Sequence, residues 1–265
     1  MRIQGISGSR GVAVGNVYKY IQEEIVIPDY EVTDDQVEAE IGKFASAMAA
    51  TLKQLDTIRQ KALVDMGADE AAIFEAHMQI AQDPSLSDGI KSLVENSKMN
   101  VVAATAQTIE TFAAIFIGMD DPYMRERGAD IKDIGDRLMR NMLGMNPRGL
   151  SHISGEVIIV AHDLAPSDTA SLDKNVVKGI VTAAGGPTSH AAIMARTLEI
   201  PAVMGVGDIE SFTDDVRAVV LGTDGEVITE PSDEEWERYT KEAADFQDEL
   251  KRLKDSANLE AVTKD

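Results

Sequence analysis

Cysteine is absent from this 265-residue chain. That excludes a disulfide framework, a thiol nucleophile and a thiolate metal site. Long apolar runs are missing too, so no segment reads as a membrane span, and the start lacks the basic-then-apolar pattern of a secretion signal. Basic residues are scarce, with 25 Lys and Arg against 46 Asp and Glu and a formal net charge of -21. Such acidity argues against nucleic-acid or anionic-membrane binding and suits a partner with a basic face; the alternative is that it only keeps the chain soluble. Histidine is rare, with four residues, and no His, Asp and Glu share a metal-binding spacing, so no metal is expected in this chain. What these absences leave is a soluble, cytoplasmic protein. Its 44% hydrophobic residues suffice for one large domain or two smaller ones.

Along the chain, residues 1–30 contain short apolar segments punctuated by glycine, among them Val12-Ala13-Val14 and Val17-Tyr18, which read as strands joined by tight turns. Pro28 closes this part. Thr33-Asp34-Asp35-Gln36 then has the spacing of a capping box. Behind it Val37, Ile41, Phe44, Met48, Leu52, Leu55 and Ile58 recur every three or four residues, predicting a long amphipathic helix. Further helices are predicted over 71–82 and 101–117. Asp83-Pro84 and Asp121-Pro122 mark two more helix starts, with the carboxylate as cap and proline in the first turn. Residues 33–145 are therefore expected to form a helical bundle that ends at 144–149, around Asn146-Pro147.

From about residue 150 the pattern alternates between strand and helix. Strands are predicted at 156–161, 176–183, 201–204, 218–221 and 226–228, with Asp224-Gly225 as a hairpin turn and 166–172 as a helix. Residues 1–30 and 146–231 are expected to share one α/β domain, with the bundle inserted in it. Ser232-Asp233-Glu234-Glu235 is a second capping box. The helix that follows carries the stripe Trp236, Tyr239, Phe246, Leu250 and Leu253, which must pack on this chain or on a following domain; the end, 256–265, reads as frayed.

The chemistry centres on Gly185-Gly186-Pro187-Thr188-Ser189-His190. It follows a β-branched run and precedes a helical pattern, so it reads as strand, glycine turn, helix start. Gly185 and Gly186 let a backbone approach a ligand closely, and Thr188 or Ser189 can cap the helix. A helix N-terminus is a seat for phosphate. His190 lies at that seat, and a neutral imidazole carries a nucleophilic nitrogen near neutral pH. These residues point to a histidine that accepts and passes on a phosphoryl group. From the chemistry alone, a structural or surface histidine remains the alternative.

Gly185-Gly186-x-Thr188-Ser189-His190-x-x-Ile193-x-Ala195-Arg196, followed by Glu199-Ile200-Pro201-Ala202-Val203, resembles the phosphohistidine signature of the phosphoenolpyruvate-utilising enzymes. That family includes enzyme I of the sugar phosphotransferase system, pyruvate phosphate dikinase and phosphoenolpyruvate synthase. The opening Gly8-Ser9-Arg10-Gly11-Val12-Ala13-Val14-Gly15, the segment Ala72-Ile73-Phe74-Glu75-Ala76-His77 and the segment from Arg125 to Ile134 resemble enzyme I in particular, over essentially the whole chain. The resemblance implies an α/β phosphohistidine (swivelling) domain, an inserted α-helical subdomain and a C-terminal linker helix over 232–265.

It further implies that His190 exchanges a phosphoryl group with the active histidine of the phosphocarrier HPr, docked on the helical subdomain. Thr169 matches a threonine that hydrogen-bonds near that histidine; on sequence alone a turn or capping role is equally open. A C-terminal barrel, expected to be missing from this chain, would bind phosphoenolpyruvate and magnesium and charge the histidine. With no regulatory domain ahead of residue 1, the nitrogen-regulatory variant is the poorer match, and with the dimerising part absent a monomer is expected. Pro187 stands where many enzyme I sequences carry arginine, and Ala191 and Ala192 where small polar residues are common.

For the partner surface, Asp69, Ile73, His77, Met78 and Arg127 are the candidates, with Ile80 on the same helix face and Phe74 beside it, and with Glu70 and Glu75 adding acidity for a basic rim; core packing is the competing role for the helix-face residues, and His77 reads as a packed or an interface histidine. His152 and His162 lack a motif and are expected at the surface or in packing. Two other readings compete. One is the swivelling domain of a dikinase or synthase, which predicts a nucleotide-binding domain upstream. The other is a catalytically silent docking module, which predicts that removing His190 changes nothing.

Overall fold

The computed structural model describes residues 1–21, 23–145, 150, 153 and 155–257. It divides into two compact units, 1–21 with 150–265 and 22–149. The predicted turn at Asn146-Pro147, His152 and the chain end from 258 lie outside the described residues.

The first unit is built on one eight-stranded sheet in the order β1-β8-β7-β3-β4-β5-β6-β2. Its strands are β1 (Arg2–Gln4), β2 (Ile6–Ser9), β3 (Val12–Tyr20), β4 (Val157–Ala161), β5 (Val177–Thr182), β6 (Ala202–Met204), β7 (Arg217–Leu221) and β8 (Glu226–Thr229). Strands β3, β4, β5 and β6 run parallel; β7 pairs antiparallel with β3, β8 with β7, β1 with β8 and β2 with β6. The edge strands β1 and β2 are separated in sequence by Gly5 alone, so the sheet is rolled until its two edges meet. All five residues of β4 are buried, as an interior parallel strand with both faces covered requires.

Alternation along β7 sorts the two faces. Ala218 and Val220 join Ile158, Val160, Val181 and Val203 in the inner core, whereas Val219 and Leu221 face outward with Ile228 and Tyr239. Tyr239 lies on α8 (Asp233–Ala257). The apolar stripe of that helix therefore packs on its own sheet, which answers the question the sequence left open; only its far end, at Leu253, is exposed. The capping box is reciprocal as predicted: Ser232 N–H donates to the Glu235 carboxylate at 3.0 Å and Glu235 N–H to Ser232 Oγ at 3.2 Å.

The second unit holds α1 (Val37–Asp65), α2 (Ala68–Ala81), α3 (Pro84–Ser97), α4 (Val101–Ile117) and α5 (Pro122–Leu143). Phe44, Leu86, Ile90, Ile109, Ile134 and Leu138 form its core. Asp83 caps α3 through Ser85 N–H at 2.7 Å, with Pro84 in the first turn as predicted. The Thr33 box is half made: Thr33 N–H donates to the Gln36 side chain, but α1 starts only at Val37. In sequence this unit is an insertion between β3 and β4, two strands that pair directly.

One boundary moves. The sequence assigns residues 1–30 to the α/β domain, but contacts place 23–30 with the helices. Asn100, the buried N-cap of α4, explains this: its amide donates to the carbonyls of Pro28 at 2.8 Å and Tyr30 at 3.2 Å. Val32 N–H adds a bond to Lys98 O. Among the described residues, no helix is long and apolar enough to cross a membrane.

Candidate phosphohistidine site

Because β3 to β6 are parallel, the loops leaving their carboxyl ends gather along one edge of the sheet, where ligands of open α/β folds commonly bind. The loop after β5 is stitched to both neighbours there. Ala184 N–H donates to His162 O of the loop after β4 at 2.9 Å, while Val206 and Gly207, after β6, donate to the carbonyls of Thr182 and Ala183 at 3.1 and 3.0 Å. Thr182 Oγ1 donates to Ala184 O at 2.6 Å. Gly185 then turns the chain with φ +93°, a left-handed conformation open to glycine.

Ser189 is the residue that caps α7 (His190–Leu198); Thr188 is exposed and makes no cap. Ser189 Oγ accepts from Ala192 N–H at 3.3 Å and donates to Gly186 O at 2.9 Å, locking turn and helix together. His190 is the first helical residue and is half-buried. The turn thus holds His190 at a helix N-terminus, whose unpaired N–H groups and dipole favour an anion.

Thr169 lies on α6 (Pro166–Ala170) and is fully buried. Its hydroxyl donates to the carbonyls of Pro166 at 3.0 Å and Ala165 at 3.2 Å, the local helix bonding that was its competing role. Beside it the buried Asp168 accepts from Tyr20 Oη at 2.9 Å and from Ala165 N–H at 3.1 Å. That pair anchors α6 to the end of β3. Sequence reasoning passed over both, since nothing local links residues 148 positions apart.

On the helical unit, a groove of about 390 Å³ is lined by Ala76, Ile80, Phe112, Phe116, Met124 and Arg127, among others. Of the predicted partner residues, Ile80 and Arg127 line it. Asp69 is exposed, and Ile73 and Met78 are half-buried elsewhere on α2. Of the two roles open to His77, the structure selects packing over a direct partner contact. Its side chain has no exposed area because α5 presents two carboxylates to it, Asp130 at 3.1 Å from Nε2 and Asp133 at 3.8 Å from Nδ1. Asp130 also meets Arg127 at 3.4 Å, so the buried imidazole stands behind the charged rim of the groove. Asp130 and Asp133 share a helix face at i, i+3, but that spacing is too common to have flagged them.

Comparison with known proteins supplies the family. The family model for the N-terminal part of phosphoenolpyruvate-utilising enzymes matches residues 4–127, and that for their mobile domain matches 153–225. The phosphoenolpyruvate-protein phosphotransferase of Listeria monocytogenes is 42% identical over 267 residues, spanning 99% of this chain and 46% of the relative. That of Priestia megaterium is 40% identical over 264 residues, with the same coverage. The chain therefore spans about half the length of these relatives. A solution NMR structure of enzyme I (nEIt) superposes with a TM-score of 0.79 at 36% identity, covering 92% of this chain and 99% of that one. The N-terminal domain of a nitrogen enzyme 1 has a TM-score of 0.59 at 24% identity, a likeness of fold. With a rolled α/β unit, an inserted helical unit and the His190 turn in these places, the chain belongs to the phosphoenolpyruvate-utilising enzyme family and corresponds to the N-terminal half of enzyme I, the phosphoenolpyruvate-protein phosphotransferase.

Proposed function

We propose that this chain carries a phosphoryl group on His190 and exchanges it with the active histidine of an HPr-type phosphocarrier. The observation that carries the reading is the seat of His190: first residue of a Ser189-capped helix, half-buried, on a turn whose loop is tied into both neighbouring loops. A ring-nitrogen lone pair of neutral His190 attacks the phosphorus of the partner's phosphohistidine. A new P–N bond forms as the partner's P–N bond breaks, and that electron pair returns to the partner's ring. His190's ring proton is lost and the partner's ring gains one, so the proton count balances through the pair or through solvent. Such transfer depends on in-line positioning and charge stabilisation; a helix N-terminus contributes about 0.3–2 kcal/mol toward the latter.

Thr169 enters this reading as a hydrogen-bond partner for the imidazole, through the oxygen whose proton its own helix holds. The acidic bundle, with its apolar groove and Arg127, is the docking unit for the carrier, and exposed Asp69 and Glu75 favour a basic rim there. Charging from phosphoenolpyruvate with magnesium is assigned to the region of the longer relatives beyond the half matched here, which would also be a partner of this chain. We place the protein in the cytoplasm, and this segment is a monomer.

Incubation with phosphorylated HPr, read by intact mass and acid lability, tests the proposal. An acid-labile phosphate on the parent chain and none on His190→Ala is the expected result. Phosphate on both, or on neither, refutes it.

A further inference from the structure

Strand β2 does not pair evenly with β6. Ser7 faces Val203 and Ser9 faces Ala202, which leaves Gly8 as an extra residue without a counterpart, a β-bulge. A Cβ on Gly8 would stand 2.8 Å from Met204 Cγ and 2.9 Å from its Cε, so any larger residue there would force the Met204 side chain to move. A bulge takes backbone groups off the ladder, and such groups need other partners. The Gly8 carbonyl finds one in Arg196, whose Nη1 donates to it at 2.7 Å. Nη2 of the same guanidinium donates to the Pro187 carbonyl at 2.8 Å.

Arg196 sits near the C-terminal end of α7, yet its side chain reaches the turn that precedes the helix, leaning toward the N-terminus as helical side chains do. One planar fork thus joins an edge strand 188 residues away to the turn three residues ahead of His190. A lysine ammonium is a point charge without that two-pronged geometry. Both acceptors are neutral carbonyls, and among the described residues Arg196 has no carboxylate partner.

We propose that Arg196 is a positioning residue for phosphoryl transfer. Its fork clamps the Pro187 carbonyl against the Gly8 bulge, giving the start of α7 one orientation, and its unneutralised charge stands at the turn that presents the phosphoryl-bearing histidine. The bulge supplies the carbonyl that this clamp uses. Pro187 is compatible with it because only its carbonyl is used. The inference rests on the His190 reading.

The test compares the parent, Arg196→Ala and Arg196→Lys by rapid-quench transfer from phosphorylated HPr over a range of HPr concentrations, beside a thermal melt of each. The expected result is a maximal rate at least tenfold lower in Arg196→Ala, with the half-saturating HPr concentration unchanged within twofold. Arg196→Lys, which keeps the charge but loses the fork, should remain several-fold slow while fully folded. A fall in rate that only tracks the unfolded fraction, or full rate in the lysine variant, overturns the clamp. If Arg196→Ala does not fold, the lysine variant decides by the same criterion. A phosphorylated parent with an equally fast Arg196→Ala overturns this inference alone; a parent that takes no phosphate overturns the His190 reading and this inference with it.

Discussion

The two glycines ahead of His190 form a matched pair that the structure separates. Gly185 has φ +93°, where an L side chain costs about 1–2 kcal/mol. An alanine Cβ there would also stand 3.3 Å from Ser189 Oγ and 3.5 Å from its Cβ. Ser189 is the cap of α7, and disturbing a cap costs about 1 kcal/mol. Gly185→Ala should therefore lose about 2–3 kcal/mol, a fall in Tm of about 4–12 °C if the α/β unit melts as one cooperative body of this size. At Gly186 nothing lies within 4 Å of the equivalent Cβ, and its φ is outside the left-handed region. Gly186→Ala should stay within about 0.5 kcal/mol of the parent or gain slightly from the stiffer unfolded chain. Thermal melts by far-UV circular dichroism measure both. Hydrogen exchange at Ala192, whose N–H is held by Ser189 Oγ, adds a local probe that should accelerate only in Gly185→Ala. Equal losses in the two variants, or a larger one at Gly186, would refute the assignment of the strained turn.

Three further outcomes follow from the packing. His77→Ala should destabilise the helical unit by about 3 kcal/mol, because it leaves two buried carboxylates facing a hole; a urea titration showing less than about 1 kcal/mol contradicts the buried Asp130-His77-Asp133 arrangement. Asn100→Ala removes a helix cap and leaves two carbonyls unpaired, for a loss of about 2 kcal/mol, and limited proteolysis should then cut within residues 23–32 first. Glu235 is held below the ordinary carboxylate range, chiefly by the Ser232 backbone N–H and further by Arg2. A lowered folded value means that the unfolded chain binds the extra proton. Its contribution is therefore present above the ordinary carboxylate range and lost as pH falls through the folded value. Tm followed from neutral pH down through that range should fall less steeply in Glu235→Gln than in the parent, and parallel curves would contradict this.

Local chemistry alone determined much of the molecule. The caps at Asp83 and Ser232, the period of α1 and the β-branched runs of β4, β5 and β7 are written in neighbouring residues, as is the glycine turn that opens the His190 helix. Each involves groups a few positions apart, so the sequence states them directly. The tertiary structure decided the rest. It chose Ser189 over Thr188 as the cap, Gly185 over Gly186 as the strained residue, and the sheet over a following domain as the seat of α8. It drew residues 23–30 to the helices through Asn100 and chose packing over a partner contact for His77. It also brought Arg196 to a bulge at Gly8. These outcomes depend on which buried donors meet which carbonyls and carboxylates across gaps of tens to hundreds of residues. A buried polar group must find a partner wherever the fold supplies one, and sequence spacing carries no record of where that is.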